Sequence, residues 1–501
     1  MSLLSLASIL AESATRHPER TALVAGQERI GYARLWEEAR RYAARLRGMG
    51  VGPGDRVAIL VLNTPDFPRA YYGVLALGAV VVPVHALLTP EEITFILSDS
   101  GAKVLICGGP LIPAGRAGAA AAGVPVFEAQ LPADAPIGAL IEREPGDDAV
   151  ILYTSGTTGR PKGAVLSQNN IILNASVCVN DLFYVVRDDI FLAALPLFHA
   201  FGQTVVMNAA FRAGACVLLM PRFDGAAALD LMIEQHVTVF AGVPTMYIAL
   251  LEAAKAVTER PRLRVAVAGG SSLPLVVLEA FEASFGVPIY EGYGLSETSP
   301  VASFNQQDFG RKPGTVGRGI WGVDVDVANA ELEDHIELLA QDQLGEIVIR
   351  GHCVFKGYLN NPDATRAAIV DGWFRSGDLG TKDADGFITI VDRKKDMILR
   401  GGYNVYPREV EEVLMRHPGV KQVAVIGIPH ETHGEEVVAV IVRSDEGIDV
   451  TDETIIAWSQ EHLARYKYPR HVHFIQAMPL GPSGKVLKRE LRDRLQQRTV
   501  S

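Results

Sequence analysis

The sequence predicts an α/β protein in two unequal parts, and three observations carry that prediction. Short, continuous apolar runs at 56–62, 104–107, 190–195, 237–241 and 264–268 alternate with helix-like stretches. That is the pattern of strands buried on both faces of helix-covered sheets. The chain has 501 residues, 48% hydrophobic and 21% charged, enough for about three domains or subdomains around a large core. Its charge also breaks in two. From Lys395 onward there are 15 basic and 15 acidic residues, so the part before Lys395 carries the whole net charge of −11. This boundary predicts domains at 1–394 and 395–501, the second a separate unit of about 105 residues.

Taken in order, the opening MSLLSLASILAESA has apolar positions on one face of a short helix and lacks the basic start of a signal peptide. Thr89-Pro90-Glu91-Glu92 is a helix start, with Thr89 as cap, Pro90 in the first turn and Glu92 closing a capping box. The alanine-rich run 117–122 reads as a surface helix or loop. Strand and helix patterns continue through 150–327, and the shorter strands 345–350 and 387–391 suggest a small β subdomain. Beyond 392–396 come a helix at 407–416 (apolar at Val410, Val413 and Leu414), strands at 423–428 and 437–442, a helix near 453–463, and a final basic helix.

Composition excludes several classes. An acidic chain without a basic run is a poor nucleic-acid binder. Cys107, Cys178, Cys216 and Cys353 form no CxxC pair, so neither a zinc ribbon nor a disulfide framework is signalled, and a reducing cytosol is the expected compartment. No run of 18 apolar residues occurs, which argues against an integral membrane protein.

The sharpest chemical signal is Thr154-Ser155-Gly156-Thr157-Thr158-Gly159-Arg160-Pro161-Lys162-Gly163, which follows the apolar run 149–152. Glycines let backbone N–H groups turn toward an anion, hydroxyls add donors, and the lysine adds charge. The spacing is not that of a Walker A loop. With this segment the sequence resembles the adenylate-forming superfamily of acyl-CoA synthetases, peptide-synthetase adenylation domains and beetle luciferases. The resemblance runs through Pro196-Leu197-Phe198-His199-Ala200-Phe201-Gly202, Tyr293-Gly294-Leu295-Ser296-Glu297-Thr298 and Ser376-Gly377-Asp378-Leu379-Gly380. It continues in Asp392-Arg393-Lys394-Lys395-Asp396, Gly401-Gly402-Tyr403 and Pro482-Ser483-Gly484-Lys485.

The resemblance implies a large N-terminal domain of two α/β sheets plus the small β subdomain, and a small, mobile α+β C-terminal domain that turns at Lys395. It implies that Thr154, Ser155, Gly156, Thr157, Thr158, Gly159 and Lys162 hold the β- and γ-phosphates of ATP. Tyr293 would stack on adenine and Thr298 belong to the same nucleotide site. Asp378 would take the ribose hydroxyls, with Arg393 beside it. Glu297 would hold Mg²⁺, a hard cation that prefers oxygen ligands. Lys485 would reach between the carboxylate and the α-phosphate. His199 and Phe198, with Gly270, Gly292, Gly294 and Leu295, would line the acid pocket, the small residues leaving room for a bulky chain. Gly401 and Gly402 would line the coenzyme A tunnel. One departure is Ser167-Gln168-Asn169-Asn170, where Gln168 replaces the family's usual histidine.

The segments expected around the acid (198–207, 239–247, 267–274 and 290–303) contain no Lys or Arg, and their only acids are Glu291 and Glu297. A dicarboxylate needs a cationic partner there and an amino acid needs an acidic one. A hydrophobic monocarboxylic acid fits best. The expected activity is therefore an acid–thiol ligase using ATP, Mg²⁺ and coenzyme A. Transfer to a carrier-protein thiol, adenylation alone, a non-catalytic ligand sensor and a homodimer stay open.

Overall fold

A computed structural model describes residues 5–154, 160–430, 432–444, 447, 449–481 and 484–499. Strands lie where apolar runs alternate with amphipathic helices, and they assemble into two large sheets that are mostly parallel. The first has nine strands. Its parallel centre runs Thr21–Ala25, Cys216–Leu219, Ile190–Ala193, Val239–Gly242, Val265–Ala268 and Ile289–Gly294, with antiparallel strands at both ends. The second has seven, with a parallel centre of Val126–Glu128, Val104–Cys107, Arg56–Leu60, Val80–Pro83 and Asp148–Thr154. The antiparallel strands Lys162–Ser167 and Gly357–Tyr358 complete it.

One continuous apolar core joins the two sheets. Buried tyrosines stitch it together: the Tyr71 hydroxyl donates to Gln203 Oε1 at 3.2 Å and the Tyr72 hydroxyl to Asn208 Oδ1 at 2.8 Å. The capping box predicted at Thr89 starts the helix Pro90–Ser100, and the alanine-rich run lies in the helix Ile112–Ala122.

The predicted β subdomain is an antiparallel sheet of Val323–Ala328, Gly345–Gly351, Trp373–Lys382 and Ile369–Val370, with Ile388–Arg393 on Trp373–Lys382. A fourth sheet starts at Ile398 and is built on the long hairpin Val420–His430 and Gly434–Arg443, with helices Pro407–Leu414, Asp452–His462 and Lys488–Thr499. The hairpin strands are longer than the apolar runs 423–428 and 437–442. Their backbone pairing continues into a polar tip that hydrophobicity alone does not reveal. No described helix is long and apolar enough to cross a membrane.

Parallel strands all end at one edge, and their following loops gather there. His85, Pro196–Gly202, Val243–Thr245, Gly269–Gly270 and Leu295–Glu297 each follow such a strand end. Asn174 braces this edge from behind. Fully buried, it donates to the Val301 carbonyl at 2.8 Å and accepts the Val301 N–H at 3.2 Å. Asn174→Ala leaves both backbone groups unpaired and should lower the unfolding free energy by about 2–4 kcal/mol. Exposed Asn180→Ala, on the same element run, should change it by less than about 0.5 kcal/mol. Urea denaturation of both variants checks the contrast.

Candidate active site

The predicted phosphate loop joins two paired antiparallel strands. Thr154 ends one strand and sits opposite Lys162, which starts the next. Ser155, Gly156, Thr157, Thr158 and Gly159 lie outside the described residues. Gln168, the departure from the family pattern, has a clear place at the base of this hairpin. It is 1% exposed, its Oε1 accepts the Leu6 N–H at 2.7 Å, and its Nε2 donates to the Asp148 carbonyl at 3.2 Å. The amide thus fastens the N-terminal segment to the strand that leads into the loop.

Across the hairpin stands a residue the sequence reading missed. Strand Gly357–Tyr358 pairs with Lys162–Ser167, which carries Tyr358 to the loop. The Lys162 ammonium lies 5.1 Å from the Tyr358 ring centroid, and the Tyr358 hydroxyl donates to Glu297 Oε1 at 2.8 Å. One aromatic ring therefore connects the loop cation to the buried carboxylate. Glu297 is 7% exposed and makes no ion pair among the described residues. Burial raises its carboxyl above the ordinary range, offset in part by hydrogen bonds that include that of Tyr358. A buried carboxylate without its own cation suits a hard metal ion.

The second half of the cluster forms on the β subdomain. Asp378 on Trp373–Lys382 sits opposite Arg393 on Ile388–Arg393, and the guanidinium Nε meets Asp378 Oδ1 at 3.1 Å. The Tyr293 hydroxyl donates to Asp378 Oδ2 at 2.6 Å. The C-terminal part of the chain adds Lys485. Its loop docks on the first sheet, where the Thr245 hydroxyl donates to the Gly484 carbonyl at 3.3 Å. Lys485 is close enough to Arg393, Asp378 and His199 for their charges to interact. Burial, and then the positive charge of Arg393, push its ammonium down to about 8.

Two histidines adjoin this cluster, His199 near Lys485 and His85 near His199. Burial, and then the charge of Lys485, lower His199 to about 4. Its Nδ1 accepts the Phe201 N–H at 3.3 Å, so the neutral ring carries its proton on Nε2. His85, also missed in the sequence, packs its ring 4.7 Å from that of Phe198 and is likewise lowered to about 4, first by burial and then by His199. The signal that could have found it is its place just past the parallel strand Val80–Pro83. The segment Phe201–Asn208 that follows is a π-helix, a form common at functional sites.

Several expectations change. A side chain on Gly292 would project to 2.6 Å from the Phe304 ring, and one on Gly294 to 1.7 Å from the Pro300 carbonyl. These glycines permit close packing of the protein on itself and do not open room for a bulky chain. Gly270 faces only Val243, at 3.3 Å from a built Cβ, and Leu295 packs on the core. Thr298 is fully buried. Its hydroxyl accepts from the Leu295 N–H at 2.8 Å and donates to the Pro300 carbonyl at 2.6 Å, so it holds the turn of Glu297 and is not presented to a nucleotide. Gly401 and Gly402 are exposed, at φ +57° and +83°, and the Gly401 N–H donates to the His433 carbonyl at 2.8 Å. Lys395 is exposed in the turn between Ile388–Arg393 and Ile398–Arg400.

Residues 10–359 match the family model described as AMP-binding enzyme, and residues 409–485 match that of the AMP-binding enzyme C-terminal domain. The chain belongs to the AMP-binding enzyme family. Within the family it is 36% identical to a long-chain-fatty-acid–CoA ligase of Mycobacterium tuberculosis, over 97% of each chain. It is 37% identical to a feruloyl-CoA synthase of Amycolatopsis, over 95% of this chain and 96% of the other. ATP-bound MatB from Rhodopseudomonas palustris, 33% identical, superposes with a TM-score of 0.90 over 97% of this chain and 98% of that one. Apo MatB, at the same identity and coverage, gives 0.80. The difference at equal identity and coverage lies in conformation.

A buried lysine that titrates near pH 8 has a testable signature. In the ATP-free protein, the modification rate of Lys485 by an amine reagent, followed by peptide mass spectrometry, should rise with a midpoint near pH 8. Exposed lysines should follow near 10.4. A Lys485 midpoint above 10 would contradict the burial and the neighbouring Arg393 charge.

Proposed function

We propose that this member of the family is an ATP-dependent acid–CoA ligase that activates hydrophobic monocarboxylic acids in two steps. In the first, a carboxylate oxygen attacks the α-phosphorus of ATP, the bond to the bridging oxygen breaks, and acyl-AMP and pyrophosphate form. In the second, the thiol sulfur of coenzyme A attacks the acyl carbon, the thiol proton is lost and AMP leaves. The observation that carries the reading is the convergence of Lys485, from the far end of the chain, with Asp378, Arg393 and His199.

The first step brings two anions together, so positioning and charge stabilisation dominate. Thr154, Lys162 and the intervening loop would hold the terminal phosphates. Tyr293 would support adenine, while Asp378 and Arg393 would take the ribose and its neighbouring phosphate. Glu297, oriented by Tyr358, would hold Mg²⁺, which supplies charge neutralisation on the phosphates when bound. Lys485 would face the charge growing between the carboxylate and the α-phosphate. The likeness to ATP-bound over apo MatB supports reading this arrangement as the one for the first step.

The second step needs no dedicated base, because the carbonyl is activated and a few per cent of a free thiol is ionised at neutral pH. It does need a path for a long thiol arm. We place a hinge at Lys395, between domains 1–394 and 395–501, whose rotation withdraws Lys485 and brings in Gly401 and Gly402. The four cysteines are unpaired and buried, which suits a reducing cytosol.

The segments expected around the acid carry no Lys or Arg. The Phe201 ring abuts Gly269, and Tyr290 stacks on Phe304 with centroids 6.2 Å apart. The buried Glu291 accepts the Gly314 N–H at 3.0 Å. The names of the two relatives support aliphatic and aryl acids. The test is pyrophosphate release over a panel of acids, with mass spectrometry of products with and without coenzyme A. Fatty or aryl monocarboxylic acids should give acyl-AMP alone and acyl-CoA with the thiol, with kcat/KM at least about tenfold above malonate and amino acids. Comparable malonate turnover would overturn the substrate class. Acyl-AMP that persists with coenzyme A present would favour a carrier-protein acceptor.

A further inference from the structure

Away from the Lys485 cluster, three metal-ligating side chains meet at the tip of the long C-terminal hairpin. His430 closes the strand Val420–His430, His433 precedes the return strand, and Glu436 lies on Gly434–Arg443. One ligand atom from each lies within 4.8 Å of the others. We propose that His430, His433 and Glu436 bind a divalent transition-metal ion of the zinc class, and that the ion restrains the neighbouring Gly401–Gly402 loop.

Convergence of the nitrogens supports the site. The two imidazoles lie 4.8 Å apart at 31°, and the Thr432 hydroxyl is 3.3 Å from His430 Nδ1 and 3.4 Å from His433 Nδ1. Both nitrogens therefore gather around the Thr432 hydroxyl, and His430 Nδ1 also accepts the Thr432 N–H at 3.3 Å, contacts that the ion would replace. His433 Nδ1 is 3.9 Å from Glu436 Oε2. Zn–N and Zn–O bonds of about 2.0–2.2 Å put tetrahedral ligands about 3.4 Å apart. Both histidines are exposed, so modest rotamer changes close the remaining gap.

The carboxylate is held ready. Glu436 is 3% exposed, and Arg400 grips both of its oxygens, with Nη2 donating to Oε2 at 3.0 Å. The Val437 N–H also donates to Glu436 Oε1, at 3.0 Å, so the carboxylate is fixed in place. A carboxylate oxygen accepts more than one partner, and outer hydrogen bonds commonly orient metal ligands. Two imidazoles and one carboxylate suit Zn²⁺ with a water in the fourth position, and not Mg²⁺ or Ca²⁺, which prefer all-oxygen sets. This site is thus chemically distinct from Glu297.

The restraint follows from two contacts. The Gly401 N–H donates to the His433 carbonyl at 2.8 Å, and Arg400 pairs with Gly434 across the sheet. An ion on His433 and Glu436 fixes the hairpin tip to which the glycine pair is bonded. The kinetic consequence rests on the proposed role of Gly401–Gly402 in the thiol step.

The test uses the full-length chain without a histidine tag. Equilibrium dialysis with ZnCl₂ should show one site of micromolar or tighter affinity, with Mg²⁺ at millimolar concentration not competing. His430→Ala and His433→Ala should each weaken it at least tenfold. Pyrophosphate release without zinc should be unchanged in both, which shows that they fold. In wild type, one equivalent of Zn²⁺ should slow acyl-CoA formation from supplied acyl-AMP at least threefold and spare pyrophosphate release. The histidine variants under the same zinc should escape the slowing, which controls for zinc bound to the coenzyme A thiol. Unchanged zinc stoichiometry and affinity in the variants would overturn the site. Loss of binding with no escape from slowing would overturn the restraint. A wild type that forms no acyl-CoA even without zinc would count against the proposed function and leave the dialysis result standing.

Discussion

The arrangement of the whole site hangs on one lysine delivered from the far end of the chain. Two carboxylates, Glu297 and Asp378, are buried at 7% and 4% exposure within the same cleft, while the proposed substrates are themselves anions. Such a cleft works only if cations are placed in it without being neutralised permanently. Arg393 is already committed to Asp378, and Lys162 lies over the Tyr358 ring. Lys485 supplies the further cation, and its loop meets the first sheet through the Thr245–Gly484 hydrogen bond. Under the proposed function that docking is made and broken within each catalytic cycle.

The rest of the fold can be understood as support for that docking. The ends of parallel strands bring His199, Thr245, Gly270 and Tyr293 to one edge, and the β subdomain presents Asp378 and Arg393 across from them. The glycines at 401 and 402 are exposed while Lys485 is buried in this cluster. Such a contrast is expected if one mobile unit offers two faces in turn. The transition-metal site proposed at the hairpin tip sits on the face that carries the glycines, and so would act on one orientation only.

Much of this was legible in the sequence because the motifs are contiguous and their chemistry is local. The capping box at Thr89 and the alternation of strands and helices needed no distant contacts. Tyr358 was invisible for the opposite reason. Its role comes from the pairing of Gly357–Tyr358 with Lys162–Ser167, nearly two hundred residues away in the chain. His85 depends on the packing of its ring on Phe198, and Gln168 on a hydrogen bond to Leu6. Gly292, Gly294 and Thr298 were misread because a small or polar residue in a motif has two uses. Only the positions of Phe304 and Pro300 reveal that here the fold itself fills the space.

The claim at the centre is that Lys485 serves the first half-reaction and leaves before the second. The direct measurement is the rate of each half-reaction separately on Lys485→Ala, with the fold checked by circular dichroism. The account predicts that pyrophosphate release slows by about 10² or more, the loss expected when a charge-stabilising donor is removed. It predicts that conversion of supplied acyl-AMP and coenzyme A to acyl-CoA stays within about threefold of wild type. Equal loss of both half-reactions in a folded variant would contradict it, and would make Lys485 a fixed structural cation.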